Sequence, residues 1–176
     1  VVAAKRADFH QIAQNFSIDP VLARVIRNRD VIGNDAIETY LHGGKEALHS
    51  PWLFKDMERA VSILKDKIIE KKAIRIIGDY DIDGIMATYI LEQGLKAAGA
   101  NVDVMIPHRM SDGYGLNEHL IQMAYEDGKD TIVTCDNGIT AFDQIKEAKR
   151  LGMTVIVTDH HEILEGKIPE ADAVVN

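Results

Sequence analysis

The stretch that decides the fold is Ile-Arg-Ile-Ile-Gly-Asp-Tyr-Asp-Ile-Asp-Gly, residues 74–84. A mostly apolar, β-type run ends at Gly78, three carboxylates follow at alternate positions, and Gly84 opens an amphipathic stretch. This order puts the carboxylates at the carboxyl end of a strand, where open α/β sheets bind ligands. A hard divalent cation such as Mg²⁺ or Mn²⁺ would relieve their mutual repulsion. The three carboxylates are Asp79, Asp81 and Asp83.

Two later stretches repeat the pattern of a β-branched run that ends on an aspartate. The run 131–135 leads into Asp136-Asn-Gly-Ile, and the run 154–158 leads into Asp159-His-His-Glu. If the three strands are parallel neighbours, their acidic ends meet at one edge of the sheet. Carboxylates and imidazoles without thiolates favour Mn²⁺ or Mg²⁺ over structural zinc. We therefore predict a two-metal site with Asp136 as the bridging residue, although a solvated acidic turn is the simpler alternative for each turn alone.

The composition is that of an ordinary globular protein. The chain has 176 residues, of which 46% are hydrophobic, and a formal net charge of −8. This charge argues against a general polyanion-binding surface, but it allows nucleic acid in one local groove where metals neutralise the phosphate. No run approaches the ~20 apolar residues of a membrane span, and the charged N-terminus lacks an apolar signal region. The single cysteine, Cys135, fits a reducing, cytoplasmic location and a buried structural thiol.

Residues 1–50 are predicted to form a small helical N-terminal region. Asp19 and Pro20 supply an N-cap and a proline at the first helical position, and Asn34 is expected to cap a later helix. A DNA-reading helix-turn-helix is disfavoured because the region lacks a concentrated basic face. The apolar spacing indicates helices over residues 8–16, 20–29 and 35–42.

Residues 51–176 alternate between helical and strand patterns. This alternation predicts an α/β fold with a mainly parallel, Rossmann-like sheet of about five strands and helices on both faces. Asn117 and Thr140 are expected to cap two of the helices. The dinucleotide glycine fingerprint and the Walker loop are both absent from the sequence. The predicted strands cover 74–78, 102–106, 131–135, 154–158 and 173–175, and the predicted helices cover 54–71, 84–98, 117–127 and 140–151.

The three acidic turns resemble the motifs of the DHH phosphoesterase superfamily, which is named for an Asp-His-His sequence. Here that sequence is 159–161, while 79–84 resembles the first family motif and 136–139 the second. Within the superfamily, the chain is most similar to the RecJ branch of single-strand exonucleases, whose first motif, Gly-Asp-Tyr-Asp-x-Asp-Gly, matches 78–84. The RecJ signature Pro-x-Arg…Gly-Tyr-Gly-Leu is matched by Pro107, Arg109, Gly113, Tyr114, Gly115 and Leu116.

The resemblance implies a metal-dependent phosphodiesterase that digests single-stranded DNA in the 5′→3′ direction. A water activated by two metal ions, Mn²⁺ or Mg²⁺, would attack the terminal phosphodiester. Single-stranded nucleic acid, with DNA favoured over RNA, is then the expected partner, and DNA repair and recombination are the expected processes. No membrane partner is expected, and the sequence leaves the oligomeric state open.

The resemblance also implies a role for each motif residue. Among the implied ligands, Asp79 and Asp159 are either direct ligands or residues that orient the ligands by hydrogen bonds. A loop salt bridge is the alternative role for Arg109. The implied metal-binding residues are Asp79, Asp81, Asp83, Asp136, Asp159 and His160. The implied catalytic residues are Asp83, Asp136, His160 and His161. The implied substrate-binding residues are Arg109, Asn137, Gly138 and His161.

Two features of the superfamily are not found in the sequence up to Asn176: a fourth motif with another aspartate, and a second domain, DHHA1, that grips nucleic acid. We therefore expect the amino-terminal portion of a longer enzyme, with an incomplete ligand set. A second hypothesis is a relative that acts on oligonucleotides, cyclic dinucleotides or pyrophosphate, but those branches usually carry a histidine just before the first motif, and 74–77 holds none. A third is a non-catalytic scaffold that binds single strands, although such relatives typically lose the metal ligands.

Overall fold

The computed structural model describes residues 7–176. The chain divides into two compact units, Val1–Ser50 and Pro51–Asn176. Within the described residues, none of the helices combines the length and the apolar character needed to cross a lipid bilayer.

The first unit is helical. Asp8 caps the first helix by accepting a hydrogen bond from the Gln11 amide, and Asp19 caps the second by accepting from the Val21 amide. The prediction that Asn34 caps the third helix was wrong. That helix already begins at Asn34, because Gly33, with a φ of 91°, occupies the preceding position. The helices are α1 (Phe9–Phe16), α2 (Pro20–Asn28) and α3 (Asn34–His42), followed by a 3₁₀ turn, Lys45–Ala47.

The second unit alternates helices with strands. Within it, two short 3₁₀ turns occur at Pro51–Leu53 and Leu164–Gly166. The helices are α4 (Met57–Ile69), α5 (Ile82–Ala97), α6 (Glu118–Glu126) and α7 (Phe142–Arg150). The strands are β1 (Ala73–Ile77), β2 (Asn101–Met105), β3 (Thr131–Cys135), β4 (Thr154–Thr158) and β5 (Ala173–Val175).

All five of these strands run parallel, in the order β2-β1-β3-β4-β5. The predicted α/β class and parallel sheet are thus confirmed. From β1 the chain first adds β2 on one side and then β3, β4 and β5 on the other, so the direction of strand addition reverses between β1 and β3. Such a switch point leaves a crevice at the carboxyl ends of the strands. The register brings the ends together: Ile77 pairs with Thr134, and Cys135 pairs with Thr158. The residues that follow β1, β3 and β4 therefore lie side by side.

Helices cover both faces of the sheet, as predicted. Alternate residues of a strand face opposite sides, so Ile132 and Val155 pack into one core with α6 and α7. Val133 and Ile156 pack on the other side with α4 and α5. Each fully buried isoleucine or valine stabilises the fold by roughly 1.5–3 kcal/mol. The acidic residues that follow the strands are therefore attached to a sheet that is packed on both faces.

Three helix starts in the second unit differ from the predictions by two or more residues. Helix α4 starts at Met57 because the preceding residues form a 3₁₀ turn. Helix α7 starts at Phe142, and Thr140 does not cap it, because the Ala141 amide donates to the Gly138 carbonyl and closes a tight turn there. Helix α5 starts at Ile82, two residues early. The predicted cap of α6 is confirmed: the Asn117 side chain accepts a hydrogen bond from the Leu120 amide at 3.0 Å.

Candidate metal centre

The three acidic turns converge at the carboxyl edge of β1, β3 and β4. Among the described residues, two groups of side chains bring potential ligand atoms within 4.8 Å of one another. Asp136 belongs to both groups, which makes it the geometric centre of the site. The first group is Asp79, Asp81 and Asp136, and the second is Asp136, His160 and His161.

Asp79, two residues after the end of β1, is fully buried. Its Oδ2 accepts a long hydrogen bond of 3.4 Å from the Asp81 amide. Within residues 7–176, its Oδ1 is buried and has no hydrogen-bond partner. Burying a carboxylate oxygen without a partner is costly, and a bound cation would remove that cost.

Asp136 adopts a left-handed backbone conformation, with a φ of 62°. Its amide donates to the Thr158 carbonyl at 3.1 Å, which fixes this conformation at the end of β3. The His160 Nε2 lies 2.7 Å from Asp136 Oδ1, but the contact lacks hydrogen-bond geometry and that oxygen has no such partner within the described chain. Burial, and then the charge of Asp83, raise the pKa of the Asp136 carboxyl. Two ligand atoms that converge without a hydrogen bond suit a shared cation.

Asp81 and Asp83 lie at the N-terminus of α5, where helix dipoles favour negative charge. Asp81 is the N-cap, and its Oδ1 accepts from the Gly84 amide at 3.1 Å. Gly84 is required here because a Cβ at this position would approach Asp79 Cβ to 2.9 Å and Asp136 Oδ2 to 3.1 Å. Asp83 lines a cavity of about 260 Å³ with Asp136 and His160. Asp83, a predicted ligand, thus borders the site without belonging to either convergent group in the described chain.

Asp159 holds His160 and His161 in place through hydrogen bonds. Its side chain is 1% exposed. Oδ2 accepts from the Ile139 amide at 2.9 Å, while Oδ1 accepts from the amides of His160 and His161 at 2.7 and 3.2 Å. The same Oδ1 lies 2.7 Å from the His161 Nδ1, and this hydrogen bond raises the pKa of the His161 imidazole. With both oxygens engaged, Asp159 fits the orienting role and not the direct ligand role.

Tyr114, which matches the RecJ signature, also joins the site. Its hydroxyl donates to the Asp136 carbonyl and lies 3.2 Å from the His161 Nε2. Burial, and then the charges of Asp79 and Asp136, raise the pKa of the Tyr114 phenol, so it stays protonated at neutral pH. The local sequence gave no signal for these contacts, because they link residues 22 and 47 positions apart.

The predicted substrate-binding residues divide into two types. Arg109 is exposed, and its Cζ lies 5.4 Å from the centroid of the Tyr80 ring, in cation–π range. Asn137 is 1% exposed, and its Nδ2 donates to the carbonyls of Ile77 and Cys135 at 3.0 and 2.9 Å. Gly138 is buried as well and has a φ of 108°. Asn137 and Gly138 shape the turn after β3 and line a small pocket beside Tyr114, and their contacts with substrate stay a prediction.

Comparison with known proteins identifies the family. Residues 73–176 match the DHH family, N-terminal domain. The chain belongs to the DHH family. This DHH chain is 34% identical over 165 residues to the single-stranded-DNA-specific exonuclease RecJ of Bacillus subtilis (strain 168), a match that covers 94% of the chain and 21% of that protein. It is 38% identical over 151 residues to RecJ of Thermus thermophilus, covering 82% and 22%. The chain thus spans about a fifth to a quarter of these relatives.

Solved structures agree with this assignment. A crystal structure of exonuclease RecJ bound to manganese superimposes with a TM-score of 0.66 at 36% identity, over 73% of the chain and 32% of that protein. A structure of RecJ in complex with Mn²⁺ from Thermus thermophilus gives a TM-score of 0.62 at 25% identity, over 94% and 22%. The resemblance of the sequence to the RecJ branch is therefore confirmed.

Proposed function

We propose that this chain forms the metal-binding part of a DHH exonuclease that hydrolyses terminal phosphodiesters of single-stranded DNA in the 5′→3′ direction. The observation that carries the proposal is the convergence of Asp79, Asp81, Asp136 and His160 at one edge of the sheet, with two buried carboxylate oxygens that lack hydrogen-bond partners within the described chain. The relatives described above are single-stranded-DNA-specific exonucleases, which supports DNA as the substrate.

The donor set fits Mn²⁺ or Mg²⁺. Three carboxylates and two imidazoles make up the convergent groups. The Cys135 thiol lines the same cavity, but burial raises its pKa and so favours the protonated thiol over the thiolate that binds metals. Asp79, Asp81, Asp136 and His160 would hold the ions, and Asp83, at the rim of the same cavity, would contribute a further oxygen. When bound, such ions supply Lewis acidity and lower the pKa of a coordinated water.

The chain's own residues orient the substrate around that centre. Asp159 accepts from three groups of the two histidines and thereby fixes the direction of the His161 ring, which would donate to the scissile phosphate. Arg109 is exposed beside Tyr80, and its planar fork would bind phosphate oxygens of the incoming strand. The exposed edge of Tyr114 borders the same surface.

The direct test measures nucleotide release from 5′-labelled single strands with Mn²⁺, using the protein at the full length that its gene encodes. We expect Asp136→Asn to lower kcat by about 10³-fold, because it weakens both ligand groups. Asp66→Asn, an exposed aspartate on α4, is the matched control and should retain full activity. A parallel panel of long single-stranded RNA, short oligonucleotides, cyclic dinucleotides and pyrophosphate separates this function from the other activities of the superfamily.

Two results would reject the proposal. One is the absence of nucleotide release by the wild-type protein under these conditions. The other is full activity after Asp83→Ala and Asp136→Ala together, since the proposed chemistry requires the acidic edge. Calorimetry of the 176-residue chain with Mn²⁺ adds a separate check, because a non-catalytic scaffold should bind no ion at this site.

A further inference from the structure

The segment between β2 and α6 is folded into a closed loop. The Asp112 carboxylate accepts from the His108 amide at 2.7 Å, and the Asp112 amide donates to the His108 carbonyl at 2.8 Å. The Asn117 side chain donates to the Asp112 carbonyl at 3.1 Å and also caps α6. These hydrogen bonds fix the loop from both ends. Its C-terminal part, 113–116, therefore lies against the metal-binding edge.

Gly115 lets this loop lie directly against the turn after β3. Its φ is +66°, and a Cβ there would come within 3.1 Å of the Asn137 Cβ. A larger residue would therefore be strained and would push the loop away from the turn. The adjacent residue, Tyr114, is placed over Asp136 and His161 by this close approach.

The two ring nitrogens of His161 are each held by a different partner. Nδ1 lies 2.7 Å from Asp159 Oδ1, and Nε2 lies 3.2 Å from the Tyr114 hydroxyl. The Tyr114 and His161 rings meet edge to face, with centroids 6.0 Å apart and an interplanar angle of 85°. Two anchors at opposite ends of an imidazole fix its plane as well as its direction.

Core packing does not explain Tyr114. Its residue is 52% exposed, so the ring contributes little to the buried core. Its polar end, in contrast, makes both of its contacts within the site, to the Asp136 carbonyl and to His161. The hydroxyl is therefore the informative part of this side chain.

We propose that Tyr114 is a positioning residue whose hydroxyl ties the His161 imidazole to the main chain of Asp136. In the free protein the Tyr114 hydroxyl takes the hydrogen bond of Nε2 and so holds the ring beside the metal ligands. When substrate binds, a phosphate oxygen would replace the hydroxyl at Nε2 of a ring that is already oriented. This inference rests on the proposed function for the step that it assists, but the tie itself can be observed without any reaction.

The first experiment observes the tie in the 176-residue chain by ¹H–¹⁵N correlation spectra of the histidine side chains, with His161→Gln used to assign the signals. In Tyr114→Phe, we expect the Nε2 resonance of His161 to shift, while Nδ1 keeps its Asp159 partner and moves little. Tyr125→Phe, which removes a hydroxyl from an exposed tyrosine on α6, is the matched control and should leave both signals in place. An unchanged Nε2 signal in Tyr114→Phe would overturn the inference, whatever the outcome of the nuclease assay.

The second experiment measures kinetics and Mn²⁺ affinity in the full-length protein. We expect Tyr114→Phe to lower kcat about tenfold, with KM and Mn²⁺ affinity unchanged, because one orienting hydrogen bond is lost and no ligand is removed. In a His161→Ala background, the same change should alter kcat less than about twofold, since residues that act as a unit are not additive.

Other results contradict the positioning role. A tenfold loss that persists in the His161→Ala background would show that Tyr114 acts independently of the imidazole. Weaker Mn²⁺ binding in Tyr114→Phe would show that the hydroxyl supports Asp136 instead. Thermal unfolding of each variant separates both cases from a general loss of folding. Gly115→Ala, which displaces the loop and with it the Tyr114 hydroxyl, should reproduce the kcat effect of Tyr114→Phe.

Discussion

Two clusters of carboxylates lie on the same sheet and differ in what neutralises them. In the first, which we call the ion-pair cluster, Arg75 of β1 binds Asp103 of β2 through two hydrogen bonds of 2.9 and 2.8 Å and Asp127 through one of 2.7 Å. Lys129 lies 2.6 Å from the same Asp103 carboxylate. In the second, the metal centre, Asp79 and Asp136 have buried oxygens without hydrogen-bond partners in the described chain.

The difference distinguishes a cluster that is neutralised within the chain from one that is a candidate metal centre. The Arg75 side chain is only 7% exposed, but its charge is matched by two acids, so the cluster is complete within the chain. The metal centre contains more negative charge than its histidines can balance, and this imbalance indicates an external cation. Acidic residues alone therefore do not indicate a metal site, and the informative feature is a buried carboxylate oxygen without a hydrogen-bond partner, as at Asp79 and Asp136 in the described chain.

The largest expected effect is stabilisation of the metal centre by its ion. Mn²⁺ at about 1,000 times its dissociation constant should raise the free energy of unfolding by about 4 kcal/mol, because it binds only the folded state. Urea unfolding of the chain with Mn²⁺ and with a chelator measures this. Asp136→Asn should abolish the difference, and Asp103→Asn should preserve it. Equal stabilisation of both variants would mean that the two clusters do not differ as described.

The next effect concerns the ion-pair cluster. Arg75→Met should lower the free energy of unfolding by about 2–3 kcal/mol, because it leaves two acids beside Lys129 without their main partner. This is below the roughly 3–5 kcal/mol typical of fully buried pairs, since Asp103 is 40% exposed. Urea denaturation without metal measures it, with the exposed Arg59→Met on α4 as the control. Mn²⁺ affinity should not change in Arg75→Met.

A smaller effect of opposite sign is expected at Asp79. Without metal, Asp79→Asn should stabilise the chain by about 1 kcal/mol, because it removes a buried charge that has no cation and offers an amide donor towards Asp136. The same variant should bind Mn²⁺ more weakly. Chemical unfolding with a chelator tests the sign, and Asp66→Asn is the control. A destabilised Asp79→Asn variant would show that this carboxylate serves the fold and not the ion.

The smallest effect is a pH dependence in the ion-pair cluster. Burial acts to raise the pKa of Asp103, but hydrogen bonds from Arg75 and Lys129 outweigh it and hold the pKa below its usual value. The stability that Asp103 contributes is therefore present above the unfolded pKa of about 4 and is lost as the pH falls through the folded pKa. Urea unfolding at about pH 6 and about pH 3.5, on either side of that unfolded value, should show a larger loss for the wild type than for Asp103→Asn. Equal losses would contradict this assignment.

The sequence predicted the elements that depend on local pattern. Three β-branched runs that each end on an aspartate were enough to infer parallel strands and a common acidic edge, because strand period and parallel order leave few arrangements. The predicted helix starts were less accurate: the caps expected at Asn34 and Thr140 are wrong because the helices begin one or two residues away from the predicted positions. Such shifts are decided by turns like the one closed between Gly138 and Ala141.

The division of roles within the site could not be predicted from local sequence. Asp79 and Asp159 are both aspartates within two residues of a strand end, yet one has an oxygen without a hydrogen-bond partner in the described chain and the other accepts from four nitrogen atoms. The placement of Tyr114 depends on a loop that reaches the site from the far side of β1. These distinctions follow from tertiary contacts between distant segments, which no window of a few residues contains.

The Asn137 amide determines how far apart the two halves of the acidic edge can be. It donates to the last carbonyls of β1 and β3 and so joins the strand ends from which the two acidic turns begin. Adjacent strands are separated by about 4.8 Å, and paired catalytic ions by about 3.5–4 Å. If two ions bind at this edge, the strand spacing would therefore limit the range of distances between them that the aspartates can serve.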